Sequence, residues 1–279
     1  MTAQSIKYLL TCARQKLADS PSAGIDSEVL LSHVLETGRS FLYANPELEL
    51  PRQRVKAFKR LVTRRAKGEP IAYLTGTCEF WSLQLDVSPA VLIPRPETEL
   101  LVETALQKIP AGAGWRIADL GTGSGAVALA LASECRRCDI HATDISKAAL
   151  DVAQANAKRL GMDNIRFYSG SWAEPLSGDF ELIVSNPPYV DDDDPHLGQG
   201  DLRYEPRVAL TPGKDGLDAI REIAQSSKPS LVTGGWLMIE HGWEQGPSVR
   251  QIMGNDGFVN VETLQDLQGH DRVTAGQNQ

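Results

Sequence analysis

Apolar positions at helical spacing mark the first 75 residues. Between residues 6 and 17 the apolar side chains recur every three or four positions, which predicts one amphipathic helix. A second apolar stripe covers residues 29–35, and Asp26 in front of it is the predicted N-cap. A third stripe covers residues 52–67. We therefore predict a small helical domain over residues 1–75.

The periodicity changes after this helical region. Residues 76–92 alternate between apolar and polar side chains and have turn residues at both ends, which indicates a β-hairpin that links two domains. Strand and helix patterns then alternate over residues 93–279, and such repeats predict an α/β domain with a doubly wound, mainly parallel, seven-stranded sheet. The predicted strands are residues 116–120, 140–143, 165–169, 180–185, 236–240, 258–264 and 272–276, and the predicted helices are residues 97–108, 126–133, 146–158 and 218–225.

The composition is that of an ordinary globular protein. Of 279 residues, 42% are hydrophobic and 23% are charged. No apolar run reaches the roughly 18 residues that span a bilayer, and the N-terminal sequence lacks the layout of a signal peptide. Four cysteines are too few for a disulfide framework in a chain of this length. We expect a cytoplasmic protein with no membrane association.

The net charge of −8 is unevenly distributed along the chain. Residues 1–92 hold 12 basic and 9 acidic side chains, or +3, whereas residues 93–279 hold 16 and 27, or −11. Nucleic-acid backbones are bound by clustered Lys and Arg, so the acidic part argues against a direct nucleic-acid target. Residues 52–67 alone hold eight basic residues and no acid. This segment fits a solvated helix face, or a docking surface for a partner or for RNA that the partner carries.

A glycine-rich turn lies between a predicted strand and a predicted helix. After Asp119 and Leu120, the turn consists of Gly121, Thr122, Gly123, Ser124 and Gly125. Glycines let the backbone turn sharply and approach a ligand, and the N-terminus of the next helix offers free N–H groups to an anion. The motif alone is a weak signal, since a turn that binds nothing has the same pattern. Its G-x-G-x-G spacing differs from the G-x-G-x-x-G of dinucleotide sites.

An acidic residue follows the next predicted strand. Asp144 lies 19 residues after Gly125, where a carboxylate can accept hydrogen bonds from the two hydroxyls of a ribose. Capping of the next helix is the alternative, but Ser146 is better placed to cap it. The turn and the carboxylate together indicate a site for an adenosine-bearing ligand with a compact charged end. S-adenosylmethionine fits this description.

The most specific motif follows the predicted strand at residues 180–185. It consists of Asn186, Pro187, Pro188 and Tyr189. Prolines fix φ and lack N–H groups, and a residue before proline is extended, so nearby carbonyls point outward with few donors. A planar –NH2 group can donate to the Asn186 side-chain oxygen and to the Pro187 carbonyl, with Tyr189 stacked on its face. Two such acceptors stabilise the positive charge that grows on a weakly nucleophilic nitrogen during methyl transfer.

With these motifs the chain resembles the release factor glutamine methyltransferases known as HemK or PrmC, over nearly its full length. The matching segments are residues 64–65, 68–71, 79–81, 92–99, 119–125, 186–189, 196–197, 200–203, 205–206, 240–242 and 271–273. The resemblance implies a Rossmann-like methyltransferase domain that uses S-adenosyl-L-methionine, and a helical N-terminal domain that docks the substrate. It implies methylation of the side-chain amide nitrogen (N5) of a glutamine in the GGQ-type loop of peptide chain release factors, which tunes translation termination.

The same resemblance implies roles for individual residues. The implied cofactor contacts are Gly121, Thr122, Gly123, Ser124, Gly125, Asp144, Trp172 and Asn186. The implied glutamine-binding residues are Asn186, Pro187, Pro188 and Tyr189, of which Asn186, Pro187 and Tyr189 are the expected catalytic residues. Trp172 is expected to lie against adenine, although without the resemblance it would be assigned to the core.

Other functions fit parts of the pattern. An N6-adenine DNA or RNA methyltransferase uses a similar motif, but it must flip a base and hold a phosphate backbone. The charge of −11 and the lack of an inserted basic domain argue against it. A glutamine methyltransferase of ribosomal proteins is a closer alternative, and residues 200–203 and the short N-terminal region favour release factors by resemblance alone. A binding module without catalysis would lack the complete set of cofactor residues together with Asn186.

Two groups of residues have ordinary structural explanations. Cys135 and Cys138 with His141 resemble half of a zinc site, but no second ligand pair lies at zinc spacing, so no metal is expected. His196 and His241 could act as bases, although structural or helix-capping roles suit them better.

Four acids, residues 191–194, directly follow the Asn186 motif. Charge runs of this kind usually form a solvated loop. If the run borders the substrate entrance instead, it would attract a basic substrate loop and repel nucleic acid.

Overall fold

The chain divides into two units, and the computed structural model describes residues 4–198, 200–213 and 215–279. One unit comprises Met1–Thr77 with His196–Tyr204, and the other comprises Cys78–Pro195 with Glu205–Gln279. The short segment 196–204 therefore belongs to the N-terminal unit although it lies far along the chain. Within the described residues, no helix has both the length and the apolar character needed to cross a membrane.

The N-terminal unit is built around helices. In its described part these are α1 (Ile6–Lys16), α2 (Ala23–Leu35), α3 (Arg39–Ala44), α4 (Arg52–Arg65) and α5 (Ile71–Thr75), with two short paired strands, β1 (Gln4–Ser5) and β2 (Glu49–Leu50). The apolar stripes predicted from the periodicity meet in one core, in which Leu9 of α1, Leu31 of α2 and Phe58 of α4 are buried. The basic residues of α4 other than Arg65 are exposed on its opposite face.

The prediction that Asp26 caps the second helix was wrong. The helix α2 begins at Ala23, so Asp26 lies within its first turn. Its carboxylate is 5% exposed and accepts a hydrogen bond from Arg65 Nε at 2.8 Å. Arg65 also pairs with Asp201 of the 196–204 segment, at 2.8 Å. A buried carboxylate needs such a partner, and one that lies 39 residues away leaves no local trace in the sequence.

A seven-stranded sheet forms the centre of the second unit. Its strands are β5 (Arg116–Leu120), β6 (Asp139–Asp144), β7 (Ile165–Ser169), β8 (Phe180–Ser185), β9 (Leu231–Glu240), β10 (Phe258–Gln265) and β11 (Asp271–Asn278). A separate hairpin, β3 (Thr77–Phe80) and β4 (Leu83–Asp86), precedes them. The strand order is β10-β11-β9-β8-β5-β6-β7, with parallel pairing from β7 to β9 and antiparallel pairing of β10 and β11. The prediction of a doubly wound, mainly parallel sheet is confirmed.

Helices cover both faces of this sheet. They are α6 (Glu99–Lys108), α7 (Ala126–Glu134), α8 (Lys147–Leu160), α9 (Asp218–Ser227) and α10 (Gly246–Asn255). Successive strand residues point to opposite faces, so Val184 packs with α6 and α7 whereas Ile183 packs with α9 and α10. Ser146 caps α8 as predicted, since its hydroxyl accepts from the Ala149 N–H. This layering leaves the carboxyl ends of the parallel strands free for a site.

Candidate active site

A cavity of about 360 Å³ lies at the carboxyl ends of the parallel strands. Its volume falls in the range of roughly 300–1,000 Å³ that is usual for small-molecule sites. The lining comes from the second unit, from the segments that follow β5, β6, β7 and β8 and from residues 90–98, which precede β5. The predicted site residues that line it are Gly121, Thr122, Gly123, Ser124, Asp144, Trp172, Asn186 and Pro188. The strands thus bring together motifs that lie up to 67 positions apart.

The glycine-rich turn is held tightly against the sheet. The Gly121 and Thr122 N–H groups both donate to the Thr143 carbonyl, at 2.9 Å. The turn needs left-handed backbone at Gly123 (φ 57°) and Gly125 (φ 85°). A Cβ at Gly125 would lie 3.0 Å from a Leu129 methyl carbon, whereas a Cβ at Gly123 would meet no atom within 4 Å. The open space at Gly123 belongs to the cavity, so a ligand can approach the backbone there.

Asp119 supports the turn from inside. Its buried carboxylate accepts from the Thr122 hydroxyl at 2.6 Å and from the Ala128 N–H at 3.2 Å. Burial and, to a smaller extent, the nearby charge of Asp144 raise the pKa of Asp119 to about 6, against the effect of the two donors. Asp119 lines the cavity but was not predicted as a site residue, although it stands at the head of the glycine motif.

Asp144 makes two backbone contacts that were not predicted. Its Oδ2 accepts from the Gly123 N–H at 2.9 Å, and its Oδ1 accepts from the Ser146 N–H at 2.8 Å. It therefore ties the glycine turn to the start of α8. Burial raises the pKa of the Asp144 carboxyl, and both N–H donors oppose the rise. Each carboxylate oxygen has a second lone pair, so two hydroxyl donors can still bind from the cavity.

Two large apolar side chains flank this part of the cavity. Ile145 is 68% exposed and lines it directly after Asp144. Trp172 also lines it, with left-handed backbone (φ 44°) and an indole N–H that donates to Glu222 at 2.8 Å. A Cβ at Gly121 would lie 3.2 Å from the Trp172 ring, so that glycine leaves room for the indole. Ile145 and Glu222 were not predicted as site residues. An apolar residue that directly follows an acidic residue at the end of a predicted strand is the sequence signal that could have indicated Ile145.

The Asn186 motif presents two acceptors to which no described residue donates. The Asn186 side-chain Nδ2 donates to the Thr98 hydroxyl at 3.0 Å. Among the described residues, none donates to the Asn186 Oδ1 or to the Pro187 carbonyl. Asn186 and Pro188 line the cavity, whereas Pro187 and Tyr189 are not in its lining.

Tyr189 points its hydroxyl to a buried carboxyl group. The phenol donates to Glu240 Oε1 at 3.4 Å, and the Tyr189 carbonyl accepts from the Gln245 side chain at 3.1 Å. Burial and the charge of Glu240 raise the pKa of Tyr189 above its usual range. Burial also raises the pKa of Glu240 to about 7, while Thr98 and the charge of Arg272 act in the opposite direction. Thr98 and Glu240 were not predicted as site residues.

The other candidate residues lie away from this cavity. His141 is buried and its ring nitrogen lies 3.1 Å from Asp139. Burial raises the pKa of Cys135 to about 11, so its thiol is a poor nucleophile. His241 is buried and its Nε2 lies 2.8 Å from the Thr274 hydroxyl, as in a structural role. The prediction for His196 concerns a side chain outside the described part of the structure.

The sheet order and the composition of the cavity define a Rossmann-like methyltransferase. A methyltransferase from Pyrococcus furiosus has the same fold, with a TM-score of 0.54 at 18% identity over 77% of this chain and 96% of its own. Residues 96–199 match the methyltransferase small domain, and residues 8–76 match the PrmC N-terminal domain.

Close relatives then identify the family. The release factor glutamine methyltransferase of Xylella fastidiosa (strain Temecula1) is 50% identical over 90% of this chain and 92% of its own length. The protein of the same name from Escherichia coli (strain K12) is 49% identical over 97% of this chain and 98% of its own. The chain belongs to the release factor glutamine methyltransferase family.

Proposed function

We propose that this chain transfers a methyl group from S-adenosyl-L-methionine to the side-chain amide nitrogen (N5) of a glutamine in the GGQ-type loop of peptide chain release factors. The observation that carries the proposal is the pair of free acceptors on the Asn186 motif, beside a cavity shaped by the glycine turn and Asp144. The names of the relatives near 50% identity support the choice of substrate.

The lining of the cavity suits the cofactor. The lone pairs that remain on Asp144 suit a ribose diol. Ile145 and Trp172 offer apolar faces to an adenine ring, and the open backbone at Gly123 with the N-terminus of α7 suits a charged amino-acid end. When bound, S-adenosylmethionine supplies a methyl group that is activated by a positively charged sulfur.

The residues of the chain then act on the glutamine amide. The Asn186 Oδ1 and the Pro187 carbonyl accept its two N–H bonds and orient the nitrogen for attack. Because they become better partners as positive charge grows on that nitrogen, they stabilise the transition state more than the ground state. Fixed placement of the amide lowers the entropic part of the barrier. No general base is needed at the start, since the nitrogen becomes acidic after it is methylated and then loses its proton.

The N-terminal unit is proposed to dock the release factor. Residues 8–76 match the PrmC N-terminal domain, and α4 (Arg52–Arg65) exposes basic side chains on which a partner can dock. Release factors act in translation, so the proposal also places the chain in the cytoplasm.

The decisive experiment follows the methyl group. The purified chain is incubated with a release factor and labelled S-adenosylmethionine, and peptide mass spectrometry locates any gain of about 14 Da, one methyl for one hydrogen. We expect the gain on the loop glutamine, and none in a release factor whose loop glutamine is replaced by alanine. A gain on a ribosomal protein or on nucleic acid, with none on the release factor, would overturn the proposal.

A further inference from the structure

The side chain of Gln245 joins three loops next to the Asn186 motif. Gln245 directly precedes α10, in the loop that follows β9. Its Nε2 donates to the Tyr189 carbonyl at 3.1 Å and to the Gly216 carbonyl at 3.4 Å. Its Oε1 accepts from the Gly242 N–H at 2.8 Å. One amide therefore connects the turn after β8, the segment before α9 and the loop after β9.

The three partners fix the orientation of this amide. A side-chain amide carries a donor at one end and an acceptor at the other, and only its partners decide which end points where. The partners of Gln245 are two backbone carbonyls, which only accept, and one backbone N–H, which only donates. Because none of these groups titrates, the direction does not depend on pH. Gln245 is thus a donor toward the Asn186 motif.

The turn that carries the two proposed acceptors cannot hold itself in place. Pro187 and Pro188 have no N–H group to donate. Among the described residues, the bond from Gln245 is the one hydrogen bond that reaches the backbone of residues 187–189. The strand β8 fixes the start of the turn, since it ends at Ser185. Gln245 fixes the other end of the turn.

Close packing confines the same end of the turn. Gly216 is buried and has left-handed backbone (φ 67°). A Cβ at Gly216 would overlap the Tyr189 carbonyl oxygen and would lie 2.9 Å from the Gln245 Nε2. The Tyr189 carbonyl is therefore held between the Gly216 backbone and the Gln245 amide. A change at Gln245 displaces the turn as a whole rather than one loose side chain.

We propose that Gln245 is a positioning residue that places the Asn186 and Pro187 acceptors by holding the Tyr189 carbonyl. Gln245 is not in the lining of the cavity, so it acts through the turn and not by contact with the cofactor. Misplacement of a reacting group by about 1 Å can cost roughly 100-fold in rate. The inference rests on the proposed function and adds Gln245 to the residues that carry it out.

Two substitutions with opposite hydrogen-bonding abilities test this role in the full-length chain. Gln245→Glu keeps the acceptor for the Gly242 N–H but places a carboxylate oxygen against both carbonyls, whereas Gln245→Lys keeps a donor for the carbonyls and loses the acceptor. At saturating S-adenosylmethionine we expect kcat for a release factor to fall about 10- to 100-fold in Gln245→Glu and less than about 5-fold in Gln245→Lys. KM for the release factor should change by less than about 3-fold in both, because docking is proposed for the N-terminal unit.

The order of the two variants separates positioning from charge. A carboxylate near the positive charge that grows on the glutamine nitrogen favours the transition state, and an ammonium group disfavours it. Charge alone therefore predicts that Gln245→Lys is the slower variant. That order, a loss of more than about 10-fold in Gln245→Lys, or a kcat within about 2-fold of the wild type in a folded Gln245→Glu would overturn the inference.

Asn164→Asp is the matched control for a purely structural loss. The Asn164 Nδ2 donates to the Cys135 and Cys138 carbonyls, at 3.4 and 3.1 Å, so this change also removes two donors to backbone carbonyls. Asn164 directly precedes β7, at the edge of the sheet opposite the cavity. Denaturant unfolding measures the stability lost in each variant, and calorimetry should give the wild-type Kd for S-adenosylmethionine in all three.

An equal loss of kcat in Asn164→Asp and Gln245→Glu would show a general effect of stability and would overturn the inference. Failure of the wild type to methylate a release factor would instead overturn the proposed function.

Discussion

At the scale of single residues, the proposed chemistry depends on two acceptors on one turn. Replacing Asn186 by Ala removes one of them, and we expect kcat to fall about 100-fold or more, as for loss of a transition-state hydrogen bond. Some loss of cofactor affinity should accompany it, because Asn186 also lines the cavity. Single-turnover kinetics with excess enzyme measures the chemical step. A rate near that of the wild type would contradict the role of Asn186.

Asp144 is expected to matter mainly for cofactor binding. Asp144→Ala removes the proposed acceptor for the ribose and releases the Gly123 and Ser146 N–H groups. We expect S-adenosylmethionine to bind about 1.5–3 kcal/mol more weakly, the usual size for hydrogen bonds to a charged group. The fold should survive because Ser146 still caps α8. The control is calorimetry on Asp151→Ala, which removes an exposed acid of α8. Equal affinities of Asp144→Ala and Asp151→Ala for S-adenosylmethionine would mean that other residues bind the ribose.

Glu240 should make stability depend on pH in a defined direction. Its folded-state pKa of about 7 lies above the ordinary value of 4.5, and Tyr189, Thr98, Arg272 and Glu97 are the groups that face it. The stabilisation from protonated Glu240 is therefore complete below about pH 4.5 and is lost as the pH rises through about 7. Relative to Glu240→Gln, the wild type should lose on the order of 3 kcal/mol of unfolding free energy across that range. Denaturant unfolding at several pH values measures this loss. Unfolding free energies of the wild type and of Glu240→Gln that change with pH in the same way would contradict the prediction.

The residues of the site were predictable only where a local motif marks them. The glycine turn and Asn186 directly follow strands, and Asp144 ends one, so alternation of strands and helices was enough to bring them to one edge of the sheet. Thr98 lies 88 residues before Asn186, and Glu240 lies 51 residues after Tyr189. Their roles depend on which strands are neighbours and on burial, and neither is written in a local pattern.

The helix α4 allows the docking proposal to be tested at the scale of one element. Lys56, Lys59 and Arg60 are exposed on it and have no ion pair among the described residues. Replacing all three by Gln should lower kcat/KM for an intact release factor several-fold at low salt, because rim charges act mainly on the encounter rate. The value of kcat should change little. The matched control replaces Arg136, Arg137 and Lys158, three exposed cations of the second unit, and an equal loss in both triple variants would contradict docking by α4.

Secondary structure was predictable where capping residues mark the two ends of a helix. The helix α8 runs from the residue after its cap Ser146 to the residue before Gly161, which has the left-handed conformation of a C-terminal cap. The helix α10 (Gly246–Asn255) was not predicted, since its sequence opens with Gly-Pro and holds a further glycine at Gly254. Packing of Val249 and Met253 into the core supplies the stability that the local sequence lacks.

At the scale of the whole molecule, the acidic residues 191–194 allow a test of whether charge selects the substrate. Residues 191–194 form a largely exposed segment after the Asn186 motif and are not part of the cavity lining. Replacing all four by Asn keeps the local turn, since Asn can still accept from the residue 193 N–H as Asp191 does. We expect kcat/KM for a release factor to fall several-fold at low salt with little change in kcat, and the deficit to shrink as the Debye length falls to roughly 8 Å.

The control for this charge effect keeps the same change in net charge. It neutralises four exposed acids elsewhere in the second unit, namely Glu103, Asp151, Asp163 and Asp179. A deficit that is independent of salt would indicate direct contacts, and no deficit at any salt would leave residues 191–194 as an ordinary solvated loop.

The segment 196–204 makes the N-terminal unit discontinuous along the gene. The chain crosses between the units after residues 77, 195 and 204. Within the N-terminal unit Arg65 pairs with Asp201, and the Lys67 carbonyl accepts from the Tyr204 hydroxyl at 2.9 Å. Recombination between two relatives at residue 77 would therefore inherit these partners from different parents. A chimera that exchanges residues 1–77 together with residues 196–204 keeps these partners together. The two stretches therefore have to be inherited, or exchanged in an engineered protein, as one unit.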